Sequence, residues 1–295
     1  MILEKQDIIK ALGDFSLELT PKGFAKIKNP LNSYLPQNTK IFITHLLGSD
    51  FKETVAAAKA VKAQGFEVIN HFALRNFSSV KEIKEGLDLL KEAGIKKILL
   101  LGGGTAQQRH EFGDCQHFVI SGILDNYEIK ALGFAGHPEG NPATKLLHDR
   151  TSLIFKKTYA LSTPNKDFFF ASQFCFQSQP VISWVNQEFG DNYPSIDLRI
   201  GLAGICNITS LIKHAQQCGV GASLGFLRKN APAVIKLFGG LVSPNKLLYE
   251  LTLAQKTGQL KRNIKFHFFP LGGFEKTALW INKIIKGDFE IGEFK

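Results

Sequence analysis

The feature that most constrains the fold is a regular alternation of short apolar runs with amphipathic stretches. Eight of the apolar runs are rich in β-branched and aromatic residues and have the length of strands. Candidate helices between strands are typical of parallel sheets, because a parallel pair needs a crossover connection. The predicted strands are residues 15–19, 40–46, 66–74, 97–101, 129–135, 168–174, 198–203 and 265–269.

The helix with the clearest signal is predicted over residues 79–93. Ser79 and Glu82 have the spacing of a capping box, and Gly94 follows the last apolar position. The other predicted helices are residues 50–64, 144–160, 180–189, 209–217, 244–256 and 274–286.

Eight strand-and-helix units that close on themselves form a single (β/α)8 TIM barrel, and this is the predicted fold. The length of 295 residues fits one barrel, which uses about 250. No low-complexity linker interrupts the chain, so we expect one domain over residues 1–295. A doubly wound open sheet is the alternative.

The charge of the chain favours acidic ligands. There are 36 basic against 26 acidic residues, a net charge of +10. The basic residues are scattered and no nucleic-acid motif is present, so we expect an anionic cofactor or substrate rather than nucleic acid. No apolar run is long enough for a membrane span. The four cysteines form no C-x-x-C pair and the first residues resemble no signal peptide, which indicates a cytoplasmic location.

In a barrel of this kind, the working residues lie at the carboxyl ends of the strands. Glu18 lies in the first strand between Leu17 and Leu19. Burial in the barrel mouth would raise its pKa and make it a general acid, whereas at a frayed strand end it would be an ordinary exposed carboxylate. His45 and His71 end the next two strands, and since no H-x-H or H-E-x-x-H pattern accompanies them, we expect hydrogen bonds and no metal.

The loops after the fourth and fifth strands carry the next candidates. Gly102, Gly103 and Gly104 could bring backbone amides close to a ligand or could form a plain turn. The string 136–142 holds His137, Glu139 and Asn141, and its two prolines, Pro138 and Pro142, fix the backbone around them. In the helix that follows, Asp149 and Lys156 share one face, where the lysine could meet a phosphate or could simply be solvated.

The sixth strand and the segment 219–240 offer possible substrate contacts. Strict alternation puts Ala171, Gln173 and Cys175 on one face of the strand, and the Gln173 amide suits the edge of a heterocycle. The segment 219–240 is irregular, rich in glycine and basic, with Arg228 and Lys229. Long connections at this end of a barrel often contribute to the site.

Four strings, in order, resemble the methylenetetrahydrofolate reductase family in its short form. Residues 15–22 resemble F-S-F-E-F-F-P-P-K and residues 134–142 resemble A-x-Y-P-E-x-H-P. Residues 169–176 resemble I-T-Q-F-F-F-D, and residues 266–271 resemble F-H-F-Y-T-L-N-R. The matches extend from about residue 13 to residue 285, nearly the whole chain.

This resemblance implies a barrel that holds FAD and transfers hydride between the flavin and the one-carbon unit of tetrahydrofolate, with NAD(P)H as electron donor or acceptor. It implies that Glu18 is the acid that opens the methylene bridge and that Gln173 contacts the folate, while Arg228 and Lys229 are candidates for the glutamate tail. The expected FAD-site residues are Thr44, His71, Gly102, Gly103, Gly104, His137, Glu139, Asn141, Asp149 and Lys156.

The chain departs from the family at the fourth strand, where Gly102–Gly103–Gly104 aligns with Arg-Gly-Asp. The loss of a carboxylate beside the flavin should raise the flavin's reduction potential, which would favour oxidation of 5-methyltetrahydrofolate. A folate oxidoreductase without flavin and a non-catalytic folate- or flavin-binding partner remain alternatives. The oligomeric state stays open, and a homo-oligomer is compatible with the sequence.

Overall fold

Eight parallel strands close into a barrel in which each strand pairs with the next and the last pairs with the first. The computed structural model describes residues 2–103, 110–140, 146–217 and 241–294. The predicted (β/α)8 fold is confirmed. The strands are β1 (Ser16–Leu19), β2 (Lys40–Ile43), β3 (Glu67–Ala73), β4 (Lys97–Leu101), β5 (Ala131–Gly136), β6 (Asp167–Cys175), β7 (Ile196–Ala203) and β8 (Lys265–Phe269). The predicted site residues Gly104, Asn141, Arg228 and Lys229 lie outside the described residues.

Helices cover the outside of the barrel. The Ser79 hydroxyl accepts a hydrogen bond from the Glu82 amide, as the predicted cap requires. The helices are α1 (Lys5–Ala11), α2 (Pro21–Phe24), α3 (Phe51–Ala63), α4 (Val80–Glu92), α5 (Cys115–Ile120), α6 (Leu146–Ser162), α7 (Ser178–Trp184), α8 (Ile208–Gln217), α9 (Asn245–Lys256) and α10 (Phe274–Ile285). Within the described part of the chain, no helix combines the length and apolar character needed to cross a bilayer.

Several short elements were not predicted from the sequence. Helices α1, α2 and α5 have seven residues or fewer, too short to show a reliable helical period. A π-helical turn, Val185–Phe189, extends α7. Cys206–Asn207 pairs antiparallel with Leu241–Val242 after β7, outside the barrel. Short 3-10 helices cover Leu31–Ser33, Leu74–Asn76, Ile123–Asn126 and Ile291–Phe294.

The barrel interior is filled by a small set of large side chains facing small ones. Phe42 of β2 and Phe169 of β6 meet edge to face with ring centroids 5.8 Å apart. Gly133 of β5 makes room for Phe169, because a Cβ at position 133 would lie 2.1 Å from that ring. Phe42 also contacts His267 of β8, with ring centroids 4.5 Å apart, so this layer forms the floor of the barrel mouth.

Charged residues close the opposite, amino-terminal end of the barrel. Arg199 of β7 is only 3% exposed, and its guanidinium bonds to the Asp14 and Asp197 carboxylates at 3.1 Å each. Lys40 and Lys265 reach the Asp14 carboxylate at 2.7 and 2.8 Å. A cavity of about 630 Å³ opens at this end, lined partly by these ion pairs. We interpret these ion pairs as stabilising the folded barrel, because the active sites of such barrels lie at the other end.

We expect Asp14→Asn to lower the free energy of unfolding by about 1–3 kcal/mol at neutral pH, because it removes an anion shared by Arg199 and two lysines. Burial alone would raise the pKa of Asp14, but hydrogen bonds from Lys265 and Lys40 and the Arg199 charge hold it well below the usual 3.8. The stabilisation is therefore present above about pH 4 and is lost as the pH falls below that value.

Urea unfolding of the wild type and Asp14→Asn across this pH range measures the difference. The control is Glu290→Gln, which breaks an exposed ion pair with Lys5 and should cost less than about 0.5 kcal/mol. An equal effect of the two substitutions would contradict the prediction.

Candidate active site

The candidate active site is built around Glu18, which faces the inside of the barrel mouth. Its side chain is 18% exposed, and its Oε1 atom lies 3.4 Å from His71 Nε2 and 3.6 Å from His267 Nε2. The two imidazole nitrogens are buried and make no hydrogen bond with any described residue. Three polar atoms thus lie close together without forming hydrogen bonds to one another. This arrangement is typical of a site that binds a further polar group.

A chain of polar contacts orients His267 from below. Arg199 Nη1 lies 3.3 Å from the Ser16 hydroxyl oxygen, and that oxygen lies 2.9 Å from His267 Nδ1. Arginine can only donate, so the Ser16 oxygen accepts from Arg199, and we assign the Ser16 hydrogen to His267 Nδ1. This assignment leaves the His267 proton on Nε2, which faces Glu18.

Burial decides the protonation of this cluster. Desolvation raises the pKa of Glu18, and the charges of His71 and His214 oppose this only in part. Burial lowers the pKa of His71 to about 4 and that of His267 to about 3. Both histidines are therefore neutral at pH 7, and neither supplies a positive charge that would fix Glu18 as a carboxylate.

Three members of this chain were not proposed as site residues from the sequence: His267, Ser16 and Arg199. His267 lies in the segment 266–271 that resembles the family, but the resemblance gave it no role. Its inward direction follows from the alternation along β8, which puts Lys265, His267 and Phe269 on one face. The Ser16 and Arg199 contacts depend on the closure of β8 onto β1, which no local pattern reveals.

A β-bulge places Gln173, and it corrects the predicted alternation of β6. The register to β7 shifts between Ala171 and Phe174, and the Ser172 hydroxyl accepts from the Gly201 amide at 2.8 Å. After this bulge, Phe174 packs against Ala203 in a small apolar cluster near the end of β7. Cys175 belongs instead to the large apolar core on the outer side of the strands. The prediction that Ala171, Gln173 and Cys175 share one face is therefore wrong at Cys175. Gln173 is half-buried near the mouth.

The loop after β5 is tied to neighbouring elements by its charged residues. His137 Nδ1 lies 3.0 Å from Asp149 Oδ1 of α6. Glu139 Oε1 accepts from the backbone amides of Phe176 and Gln177, at 2.7 and 2.9 Å. Glu139 thereby holds this loop against the end of β6.

Lys156 of α6 is a buried cation. It is 9% exposed, its Nζ lies 5.9 Å from the centroid of the Phe134 ring, and no acidic side chain of the described residues pairs with it. Its neighbour Lys157, by contrast, reaches the Glu188 carboxylate at 3.0 Å. A buried ammonium without a counter-ion is costly, so the position suits an anionic ligand group.

Thr44 and His45 directly follow β2 and form part of the barrel wall. The Thr44 amide donates to the Leu19 carbonyl, and its buried hydroxyl finds no partner among the described residues. His45 Nδ1 accepts from the Ala73 amide at 3.3 Å, and burial lowers the pKa of His45 to about 4. His45 therefore joins β2 to β3 as a neutral hydrogen-bond acceptor.

Gly102 and Gly103, at the end of β4, lie against Arg75. The Arg75 amide and Nε both donate to the Gly102 carbonyl, at 3.1 and 2.8 Å. A Cβ at Gly103, which has a φ of 101°, would lie 3.0 Å from Arg75 Cβ. The sequence suggested that these glycines let a ligand approach the backbone, but here the close neighbour is Arg75, which that reasoning missed.

Metal ligation has no support within the described ranges. Residues 2–103, 110–140, 146–217 and 241–294 hold no group of three or more His, Cys, Asp or Glu side chains that could bind a metal ion. The Glu18 cluster is instead a set of hydrogen-bonding groups, one carboxyl and two neutral imidazoles.

Comparison with known proteins gives distant structural likenesses only. No protein-family model matches the chain. It is similar to a putative chitinase A from Streptomyces coelicolor, with a TM-score of 0.46, 12% identity, and coverage of 94% of this chain and 98% of that one. It is also similar to N-acetylneuraminate lyase from Mycoplasma synoviae, with a TM-score of 0.36, 11% identity, and coverage of 95% and 99%. These likenesses carry no argument about activity; the fold rests on the strand order, and barrels of this fold are commonly enzymes.

The buried histidines predict a loss of stability in mild acid. Their folded pKa values of about 4 for His45 and His71 and about 3 for His267 lie below the usual 6.5. Between these pKa values and 6.5, the three histidines are protonated in the unfolded chain but not in the folded chain. The free energy of unfolding therefore falls as the pH drops from 6.5 towards 4. Each histidine contributes up to about 1.4 kcal/mol per pH unit.

Urea unfolding between about pH 7 and about pH 4.5 tests this. His45→Gln should reduce the slope by one histidine's share, whereas His117→Gln should leave it unchanged, since the His117 side chain is 68% exposed. A stability that does not change over this range would contradict the assignment.

Proposed function

We propose that the protein is an oxidoreductase that interconverts 5,10-methylenetetrahydrofolate and 5-methyltetrahydrofolate by hydride transfer through FAD. The observation that carries the proposal is the buried Glu18 carboxyl between two neutral histidines at the barrel mouth. A barrel needs such a group if it is to deliver a proton to a weakly basic amine of a bound substrate. The family resemblance supplies the identity of that substrate.

In this mechanism, Glu18 holds the proton that opens the methylene bridge. Burial raises the pKa of Glu18, so the carboxyl keeps its proton to a higher pH than an ordinary glutamate does. His267, held through Ser16 and Arg199, directs Nε2–H at the carboxyl and steadies its charged form after the proton leaves. His71 faces the same oxygen and limits the directions in which the carboxyl can turn.

The residues present fit a cofactor that carries phosphate groups. Lys156 is a buried cation without an acidic partner among the described residues, and the His137–Asp149 pair lies on the adjacent loop. When bound, FAD supplies the hydride chemistry that no protein side chain can provide. On this proposal, residues at the ends of β3 to β5 would hold the cofactor, and Thr44 and His71 would contribute contacts to it.

Gln173 is proposed to bind the pterin, because the residue follows the bulge near the carboxyl end of β6, is half-buried there, and carries an amide that can both donate and accept. The net charge of +10 suits a substrate with a polyglutamate tail. Arg228 and Lys229 stay candidates for that tail.

The first prediction of the proposal is spectroscopic. Purified protein supplied with FAD should show bound-flavin absorption, which should bleach on anaerobic addition of 5-methyltetrahydrofolate. Bound flavin that does not bleach would leave only the reductive direction or a binding role, and the absence of bound flavin would favour a flavin-free folate oxidoreductase.

Glu18→Gln should lower the turnover number by about 100-fold or more while leaving flavin absorption intact, because it removes the proton and keeps the shape. The matched control is Glu85→Gln, which changes a carboxylate 57% exposed on α4. Equal turnover of Glu18→Gln and the wild type would contradict the assigned role.

The direction of the reaction depends on the potential of the flavin. Position 104 carries glycine where the methylenetetrahydrofolate reductase family has aspartate. Because a negative charge disfavours the anionic reduced flavin, we expect Gly104→Asp to lower the midpoint potential of bound FAD. Anaerobic redox titration of both proteins measures this. An unchanged or higher potential in the variant would contradict the bias towards 5-methyltetrahydrofolate oxidation.

A further inference from the structure

Three large apolar side chains are exposed on two helices that contact each other, α5 and α6. Ile120, the last residue of α5, is 63% exposed, and Ile154 and Leu161 of α6 are 52% and 54% exposed. Ile154 and Leu161 are about two helical turns apart and lie on one face of α6, with the exposed Thr158 between them. These four residues are called the α5–α6 stripe below.

The stripe is distinct from the face by which α6 packs on the barrel. Leu153, Phe155 and Tyr159 of α6 are partly buried and pack against the main core. Within the described part of the chain, the other exposed large apolar side chains lie on different elements and are Ile2, Leu46, Leu47 and Leu279. Single exposed apolar residues are normal on a protein surface, whereas a group of them is typical of a protein–protein interface.

The two ends of the stripe present charges of opposite sign. At one end, Arg150 lies one turn before Ile154; its side chain is 71% exposed, and its Nε is 4.0 Å from a Glu188 carboxylate oxygen. At the other end, the Asp125 carboxylate is 3.8 Å from the ammonium of Lys166, which follows α6. The Asp125 side chain is 72% exposed but that of Lys166 only 15%, so this end presents a negative charge to a partner.

We propose that the α5–α6 stripe is the interface of a homodimer, in which the α6 helices of two copies pack antiparallel about a two-fold axis near Thr158. Ile154 of each copy then faces Leu161 of the other, so one patch serves both subunits. The same orientation brings Arg150 of each copy to the end where the other presents Asp125. A parallel arrangement would place like charges together at both ends, which is unfavourable.

The charge pattern favours a second copy over a partner of different chemistry. The chain has a net charge of +10, and an acidic partner would bind where basic residues are grouped. The stripe itself contains no charged residue, and a second copy supplies both an aspartate for Arg150 and an arginine for Asp125. This inference is independent of the proposed function, because the stripe lies on helices outside the barrel and includes no residue of the Glu18 cluster.

Sedimentation velocity of the full chain over a range of protein concentrations tests the interface. We expect the wild type to sediment as a dimer. Ile154→Glu should raise the dissociation constant of the dimer by about 100-fold or more, since it places a carboxylate against the apolar Leu161 of the other copy. The matched control is Leu279→Glu on α10, where the leucine is 53% exposed; it should change that constant by less than about twofold.

Charge reversal tests the antiparallel orientation. Arg150→Glu and Asp125→Arg, each alone, should raise the dissociation constant of the dimer by about 10-fold, because each puts like charges opposite one another. The two substitutions combined should restore the constant to within about threefold of the wild-type value. This rescue separates a contact between subunits from a loss of folding, since a second reversal would not refold a destabilised chain.

Three results would overturn the inference. One is a wild type that stays monomeric at every concentration, which would leave the stripe to another protein or to a part of this chain outside the described ranges. Another is a dimer that Ile154→Glu leaves intact. The third is a double reversal that dissociates as readily as the single ones, which would exclude the antiparallel pairing of Arg150 with Asp125.

Discussion

The enclosed guanidinium of Arg199 is the constraint on which the rest of the barrel depends. A charge buried inside a strand barrel costs several kcal/mol unless every donor finds an acceptor. Arg199 finds the Asp14 and Asp197 carboxylates below it and the Ser16 hydroxyl above it. Because Ser16 in turn sets the tautomer of His267, the ionic network that stabilises the base also orients a group at the mouth.

The two ends of the barrel use carboxyl groups in opposite ways. At the base, Asp14 lies among lysines and Arg199, which hold its pKa low and keep it ionised at neutral pH. At the mouth, the described neighbours of the Glu18 carboxyl are the neutral imidazoles of His71 and His267, so burial is the dominant effect and raises its pKa. The difference lies in the neighbours and not in the residue type, and it separates a structural carboxylate from one able to exchange a proton.

Much of the architecture follows from the sequence, and the reasons for the remainder are physical. Hydrophobic periodicity predicted all eight strands, but the position of Glu18 between two leucines was compatible with both a buried carboxyl in the mouth and an exposed one at a frayed strand end, and the closed barrel decides for the buried one. Local patterns could not reveal the bulge in β6, since an extra residue leaves no mark on composition. Nor could they reveal Arg75 lying on Gly102, because that contact joins residues from two different strand ends. The identities of cofactor and substrate still rest on the family resemblance.

The close fit of Gly133 under the Phe169 ring has a consequence for how such a chain can change over evolutionary time. Any larger residue at position 133 would enter the space of the ring, and a smaller residue at position 169 would leave a void in the barrel centre. Each change alone is therefore harmful, whereas the pair together can be neutral. Among descendants of this chain, the two positions should vary jointly or not at all, and the order in which mutations arise should restrict which barrel interiors are reachable.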